Sequence, residues 1–147
     1  MDSVWYKKKP ITYLVVAIIL FSSVAVSVCA YRHRDRRTYS MDQPSIETVE
    51  SIVVEQKADG VVYNDKEEIE SLLNVIYGVK MITTKESVQD SPVNVEDEIA
   101  IHISLSDKKV ITLFAYKKHS KYFIEMPYNG IYEIEEETYN ILKEHLK

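Results

Sequence analysis

The sequence predicts an α+β domain behind an N-terminal transmembrane helix, and three observations predict it. Residues 11–30 form twenty consecutive positions without a charge. After residue 45 the chain alternates apolar and polar residues in short runs separated by turn signals, the period of half-buried strands. Ile69 to Ile76 and Tyr139 to Leu146 instead repeat apolar residues at helical spacing. Connections between the later strands are too short for parallel crossovers, so the expected domain is a mostly antiparallel sheet with one or two helices packed on one face. The chain divides into a short tail (1–10), a transmembrane helix (11–31), a charged linker (32–44) and an α+β domain (45–147).

A helix rises about 1.5 Å per residue, so twenty residues match a hydrocarbon core of about 30 Å. The apolar residues leave no polar stripe, which argues against a helix lying on a soluble core. Trp5 and Tyr6 precede the run, Tyr31 and Arg32 follow it, and these four residues are expected at the two membrane interfaces. The lipid bilayer is thus the first expected partner. Two other fates stay open. Val28 and Ala30 resemble the small-residue pattern before a signal cleavage site, which would release a secreted domain, but the run exceeds the usual signal core of about 7–15 residues. Lipidation would fall on Cys29, the single cysteine, although Val28 stands where a small residue is the rule.

Residues 1–40 carry seven Lys/Arg against two Asp, a net +5, while the remainder carries eleven basic and twenty-one acidic residues, a net −10. Such an acidic domain is repelled by nucleic acid and by anionic lipid, which excludes nucleic-acid binding as its role. Counting cations does not orient the helix, because lysines precede it and arginines follow it. A very short N-terminus ahead of a long C-terminal domain is the layout of a signal anchor, so the domain is expected outside the cytoplasmic membrane. Without a cysteine the domain folds in either redox compartment.

Within the domain, Val49 to Lys57 and Val61 to Tyr63 are expected to form a hairpin about an Asp59-Gly60 turn. Asn64 or Asp65 caps a helix whose core face is Ile69, Leu72, Leu73 and Ile76, and Gly78 is expected to end it in left-handed conformation. Val79 to Thr84 is β-rich, and a polar loop follows. Ile99, Ile101, Ile103 and Leu105 alternate with Ala100, His102 and Ser104 as one strand. Turns at Ser106 to Lys109 and Lys118 to Ser120 bring in strands from Val110 to Tyr116 and Tyr122 to Met126. Asn129-Gly130 is expected to turn the chain into Ile131, Tyr132 and Ile134, and a final helix packs Tyr139, Leu142 and Leu146.

Residues that could carry chemistry are few. His33, His102, His119 and His145 fall in a linker, a strand, a turn and a helix, without metal-ligand spacing, and three glycines make no phosphate loop. No cofactor and no metal follow from any motif. Glu133, Glu135, Glu136 and Glu137 suit a helix N-terminus, where carboxylates offset the partial positive charge of free amides. Glu96, Asp97 and Glu98 read as a solvated loop end; an envelope hydrolase would have to use such carboxylates. The excess is in tyrosine: Tyr116, Tyr122, Tyr128 and Tyr132 crowd the last strands. Tyrosine packs across strands and also suits contact surfaces, so these four are the candidate partner-binding residues, toward an envelope protein or peptide.

The segments TTKESVQDSP, Thr83 to Pro92, and KYFIEMPYNGIYEI, Lys121 to Ile134, resemble an uncharacterised family, domain of unknown function 5301. Its members are anchored or lipoprotein-like proteins of Gram-positive bacteria. The resemblance implies a small domain outside the membrane from about Ser45 to Lys147, with no reaction, cofactor or catalytic residue. In its light Ser87, Asp90 and Pro92 look like a turn that fixes the long loop. Pro127, Asn129 and Gly130 look like a hairpin tip. The weak sequence context of Cys29 departs from the lipoprotein-type members. The expected role is a membrane-anchored, non-catalytic accessory or binding domain.

Overall fold

Alternation along the chain is the source of the architecture, because it sorts each strand's residues between the two faces of one sheet. The computed structural model describes residues 37–78 and 81–146, with Tyr13, Ile18 and Ser22. Those three are helical. The rest of the transmembrane helix expected over 11–31 lies outside the described residues, as do Cys29, His33 and the interface residues Trp5, Tyr6, Tyr31 and Arg32. Among the described residues no helix is long and apolar enough to cross a membrane. Compact units run from Met1 to Arg37 and from Thr38 to Lys147.

The second unit is a small α+β domain. Its strands are β1 (Tyr39–Ser40), β2 (Val49–Gln56), β3 (Asp59–Tyr63), β4 (Ile82–Thr83), β5 (Glu96–Leu105), β6 (Val110–Lys118), β7 (Lys121–Glu125) and β8 (Ile131–Ile134). Its helices are α1 (Lys66–Tyr77) and α2 (Glu136–Glu144), with a 3-10 turn at Ile46–Thr48. Six strands form one antiparallel sheet in the order β3-β2-β5-β6-β7-β8, and β1 pairs with β4 in a separate two-stranded sheet.

One face carries Ile52, Val54, Ile99, Ile101, Ile103, Leu113, Ala115 and Ile124. Against it pack Ile69, Leu72, Leu73 and Ile76 of α1 and Tyr139 and Leu142 of α2. The other face holds a smaller cluster, Phe114, Tyr116 and Phe123, with Val95, Ala100 and Ile131 against it. Asp65 caps α1 as expected, its Oδ1 accepting from the Glu67 and Glu68 amides at 2.9 and 3.3 Å. The Tyr63 hydroxyl donates to the His145 carbonyl, tying β3 to the end of α2.

Several local expectations are corrected. Part of the segment read as linker belongs to the fold: Tyr39–Ser40 pairs with Ile82–Thr83, and Met41 is buried beside Met81. Gln56 pairs with Asp59, so the hairpin turns on Lys57-Ala58 rather than Asp59-Gly60. Lys57 takes the positive φ of 58°. Gly78 ends α1 in right-handed conformation, φ −61°. Its glycine is required by space, since a Cβ would lie 2.3 Å from the Asn74 carbonyl oxygen. Glu96, Asp97 and Glu98 are strand rather than loop end, with a bulge at Asp97, φ 50°. The Lys118–Ser120 turn is a two-residue hairpin with both His119 and Ser120 at positive φ, 49° and 62°.

Candidate functional site

The last hairpin turns on Pro127 and Tyr128, not on Asn129-Gly130. The Asn129 amide donates to the Met126 carbonyl at 3.0 Å, and Tyr128 has φ 58°. Proline sets the first corner, the second needs positive φ, and this is the geometry of a type II turn. Gly130 has no positive φ. It is glycine because a Cβ would lie 2.7 Å from Thr83 Cγ2 and 2.9 Å from the Tyr132 hydroxyl.

The long loop after β4 closes onto this hairpin. Glu86 bridges Gly130, the Ser87 amide donates to the Asn129 carbonyl (3.2 Å), and the Ile131 amide donates to the Lys85 carbonyl (2.9 Å). Ser87, 2% exposed, donates through Oγ to Glu125 Oε1 at 2.6 Å. Tyr116 donates its hydroxyl to Glu125 Oε2 at 2.8 Å. Glu125 is itself only 5% exposed. Burial, then the neighbouring Glu125 carboxylate, push the Tyr116 hydroxyl well above its usual range. A buried carboxylate needs such donors, and the arrangement pins the loop to the second face of the sheet. Ser87 is too enclosed for substrate to reach its oxygen, so its geometry is that of a clamp. Burial, and secondarily Glu125, raise the Glu98 carboxyl above the ordinary carboxylate value.

The four tyrosines therefore do not share one surface. Tyr116 is buried on the second face, while Tyr132 is in the main core, with its hydroxyl donating to Asn129 Oδ1 at 2.6 Å. Tyr122 lies against α2, its ring 5.0 Å from that of Tyr139 and its hydroxyl donating to Glu136 at 2.6 Å. Only Tyr128 is well exposed among the four, 68%, and it donates to Asp90 Oδ1 at 2.6 Å across the loop. That bond raises the Tyr128 hydroxyl above its ordinary value. Asp90 thus latches the loop to the hairpin tip. Pro92 lies farther along the same loop, half-buried.

Beside this clamp lies a cleft of about 360 Å³, within the size range of small-ligand pockets. Its walls are Val75 of α1, Met81 to Thr83, Lys85, the whole of β8, Glu135 just ahead of α2, and Thr138 within α2. Tyr132 is the one candidate tyrosine that lines it. The charged residues lining the cleft are Lys85, Glu133 and Glu135. The Lys121 ammonium, 2.6 Å from Glu133 Oε1, holds the Glu133 carboxyl below the usual carboxylate range. Lys85 places its ammonium 4.9 Å from the Phe123 ring centre.

The remaining candidates lie elsewhere. His102 meets Thr112 at 3.1 Å and Glu55 at 3.4 Å, and His145 meets the Tyr63 hydroxyl at 3.2 Å. Asp97 pairs with Lys143 at 3.1 Å, and neither Glu96 nor Asp97 lines the cleft. Among the described residues no three His, Cys, Asp or Glu side chains converge as a metal site. Glu125 and the cleft were both missed by sequence reasoning. A lone glutamate inside the apolar run YFIEM was the available signal for the first.

The model of a protein family, DUF5301, with the description "Domain of unknown function (DUF5300)", matches residues 37–133. The chain belongs to this family. The matched segment holds the clamp and most of β8 and stops before α2. The resemblance carried by Thr83–Pro92 and Lys121–Ile134 is thereby established. No match was found among curated proteins or among solved structures.

Proposed function

We propose that this protein is a single-pass, membrane-anchored binding domain, displayed outside the cytoplasmic membrane, that engages a partner without chemistry of its own. The observation that carries the binding half is the cleft between α1, β4, β8 and α2, held open beside a loop that Ser87, Glu125 and Asp90 clamp in place. A rigid wall and a few polar groups suit recognition. The anchoring half rests on the uncharged run of residues 11–30 and on its aromatic and cationic flanks. The acidic balance of the domain favours partners that carry positive charge.

Two measurements test the reading. Protease added to intact cells should digest the domain without lysis; protection until lysis overturns the external orientation. The full-length chain, solubilised from membranes in mild detergent, should retain a reproducible partner and an intact N-terminus by mass spectrometry. Recovery of the chain alone counts against binding, and a chain beginning near residue 31 assigns the run to a cleaved signal.

A further inference from the structure

The Asn129-Gly130 pair does not turn the chain, because the corner falls on Pro127 and Tyr128 and Gly130 is glycine for space. The Asn129 side chain joins the two sheets instead. Its Oδ1 accepts from the Tyr132 hydroxyl of β8 at 2.6 Å, and its Nδ2 donates to the Ser40 carbonyl of β1 at 3.4 Å. Its main-chain carbonyl accepts from the Ser87 amide of the clamped loop at 3.2 Å. β1 is the smallest piece of this junction, two residues long. Met41 seats it, buried beside Met81, with the Met41 amide donating to the Met81 carbonyl at 3.4 Å. A segment with so few contacts opens locally before the sheet does.

Asparagine followed by glycine carries a chemistry of its own. The glycine nitrogen reaches the preceding side chain with no Cβ in the way, and this is the single Asn-Gly pair of the sequence. We infer that Asn129 is a deamidation site held in check by β1, and that its modification releases β1 from the hairpin in one direction only. While β1 is seated, both ends of the side-chain amide are engaged, which holds Cγ off the Gly130 nitrogen. Once β1 opens, the Gly130 nitrogen attacks Asn129 Cγ and the new C–N bond closes a cyclic imide. The side-chain nitrogen leaves as ammonia, taking the proton that the Gly130 amide gives up. Water then opens the imide at one carbonyl or the other, giving aspartate or isoaspartate. Aspartate at this position still accepts from Tyr132 but has no donor for the Ser40 carbonyl. It also adds a carboxylate beside Tyr132, whose hydroxyl is already raised by burial and then by the Asp42 carboxylate. Isoaspartate lengthens the main chain between the Ser87–Asn129 bond and the Glu86–Gly130 bridge, so the two no longer keep one register.

The test ages the full-length chain in detergent micelles and mildly alkaline buffer, and reads residue 129 by peptide mass mapping with chromatographic separation of isoaspartate. Unfolding in urea should speed deamidation there by about tenfold or more. Met41→Ala loosens β1 and removes no partner of Asn129, and in native buffer it should speed the reaction by about tenfold. Tyr132→Phe, which frees Oδ1, should act in the same direction. Asn74 and Asn140, each followed by a β-branched residue, serve as internal references and should not change. Ile52→Ala weakens the same core from β2 and should leave the rate at Asn129 near wild type. The deamidated fraction, separated by ion exchange, should exchange the amide protons of β1 and β4 faster than the unmodified chain. Equal rates in the folded and unfolded chain overturn the proposal, as does equal acceleration by Ile52→Ala and Met41→Ala, which would make the opening global. Unchanged exchange in β1 and β4 of the deamidated chain overturns the release.

Discussion

The Glu125 clamp makes a quantitative prediction. Tyr116→Phe and Ser87→Ala each remove one hydroxyl donor from a carboxylate that is 5% exposed, at 2.8 and 2.6 Å. Hydrogen bonds to charged groups contribute about 1.5–3 kcal/mol, so each single change should cost about that much. The double variant leaves the carboxylate buried without either donor and should cost about 3–5 kcal/mol, as when one partner of a buried pair is removed. Adding Glu125→Met removes the charge together with its lost donors, and the triple variant should return to within about 1 kcal/mol of wild type. The single tryptophan, Trp5, falls outside the domain, so urea unfolding is best followed by the circular dichroism of the domain's tyrosines and backbone. Single variants that lose less than about 0.5 kcal/mol, with a double variant no worse, would mean that water reaches Glu125. The closure of loop 85–92 on the sheet would then be refuted.

Three further outcomes follow from the same geometry. His119→Asn with Ser120→Gly should stabilise the domain by about 1 kcal/mol, because both positions hold positive φ, which the replacements adopt more readily; a lower urea midpoint contradicts the turn. Gly130→Ala should destabilise by about 1–3 kcal/mol through its contacts with Thr83 and Tyr132, and Tyr132→Phe in the same chain should recover part of that loss; thermal unfolding of the three variants reads it. Burial pushes the Tyr77 and Tyr139 hydroxyls up to about 12, from 10.0. The folded state therefore holds protons that the unfolded chain releases, so stability is intact below pH 10 and falls as pH climbs from 10 through 12. Tyrosinate absorbance should rise in two phases, the later one coinciding with unfolding, and a single phase near pH 10 contradicts the burial.

Where the chain repeats strongly, its reading and its structure coincide. Ile99, Ile101 and Ile103 face the core, Asp65 caps α1, and Ile69, Leu72, Leu73 and Ile76 are its buried stripe. Turn positions were less legible, because positive φ falls on Lys57, His119, Ser120 and Tyr128 rather than on glycine. At the first hairpin the local signal of Asp59-Gly60 yields to register, since Val54 pairs with Val61 while facing the core. A two-residue strand such as Tyr39–Ser40 is too short for any period to reveal it. The candidate site was hidden for a related reason. Ser87 and Glu125 are 38 residues apart, and the cleft walls come from α1, β4, β8 and α2, which only the folded topology brings together. Alternation did place Tyr116 and Tyr122 correctly on separate strands. It could not separate the exposed Tyr128, in the turn itself, from the enclosed Tyr132 in the strand that follows, because the two lie only four residues apart.

The central claim is that a partner occupies the cleft beside β8, and site-specific photocrosslinking in intact cells tests it most directly. A photoreactive phenylalanine at Thr138, inside the cleft, should capture a defined partner, identified by peptide mapping. The same group at Val62, on the exposed far edge strand β3, should not. Capture at Val62 alone, or equal and unsaturable capture at both positions, would contradict the account.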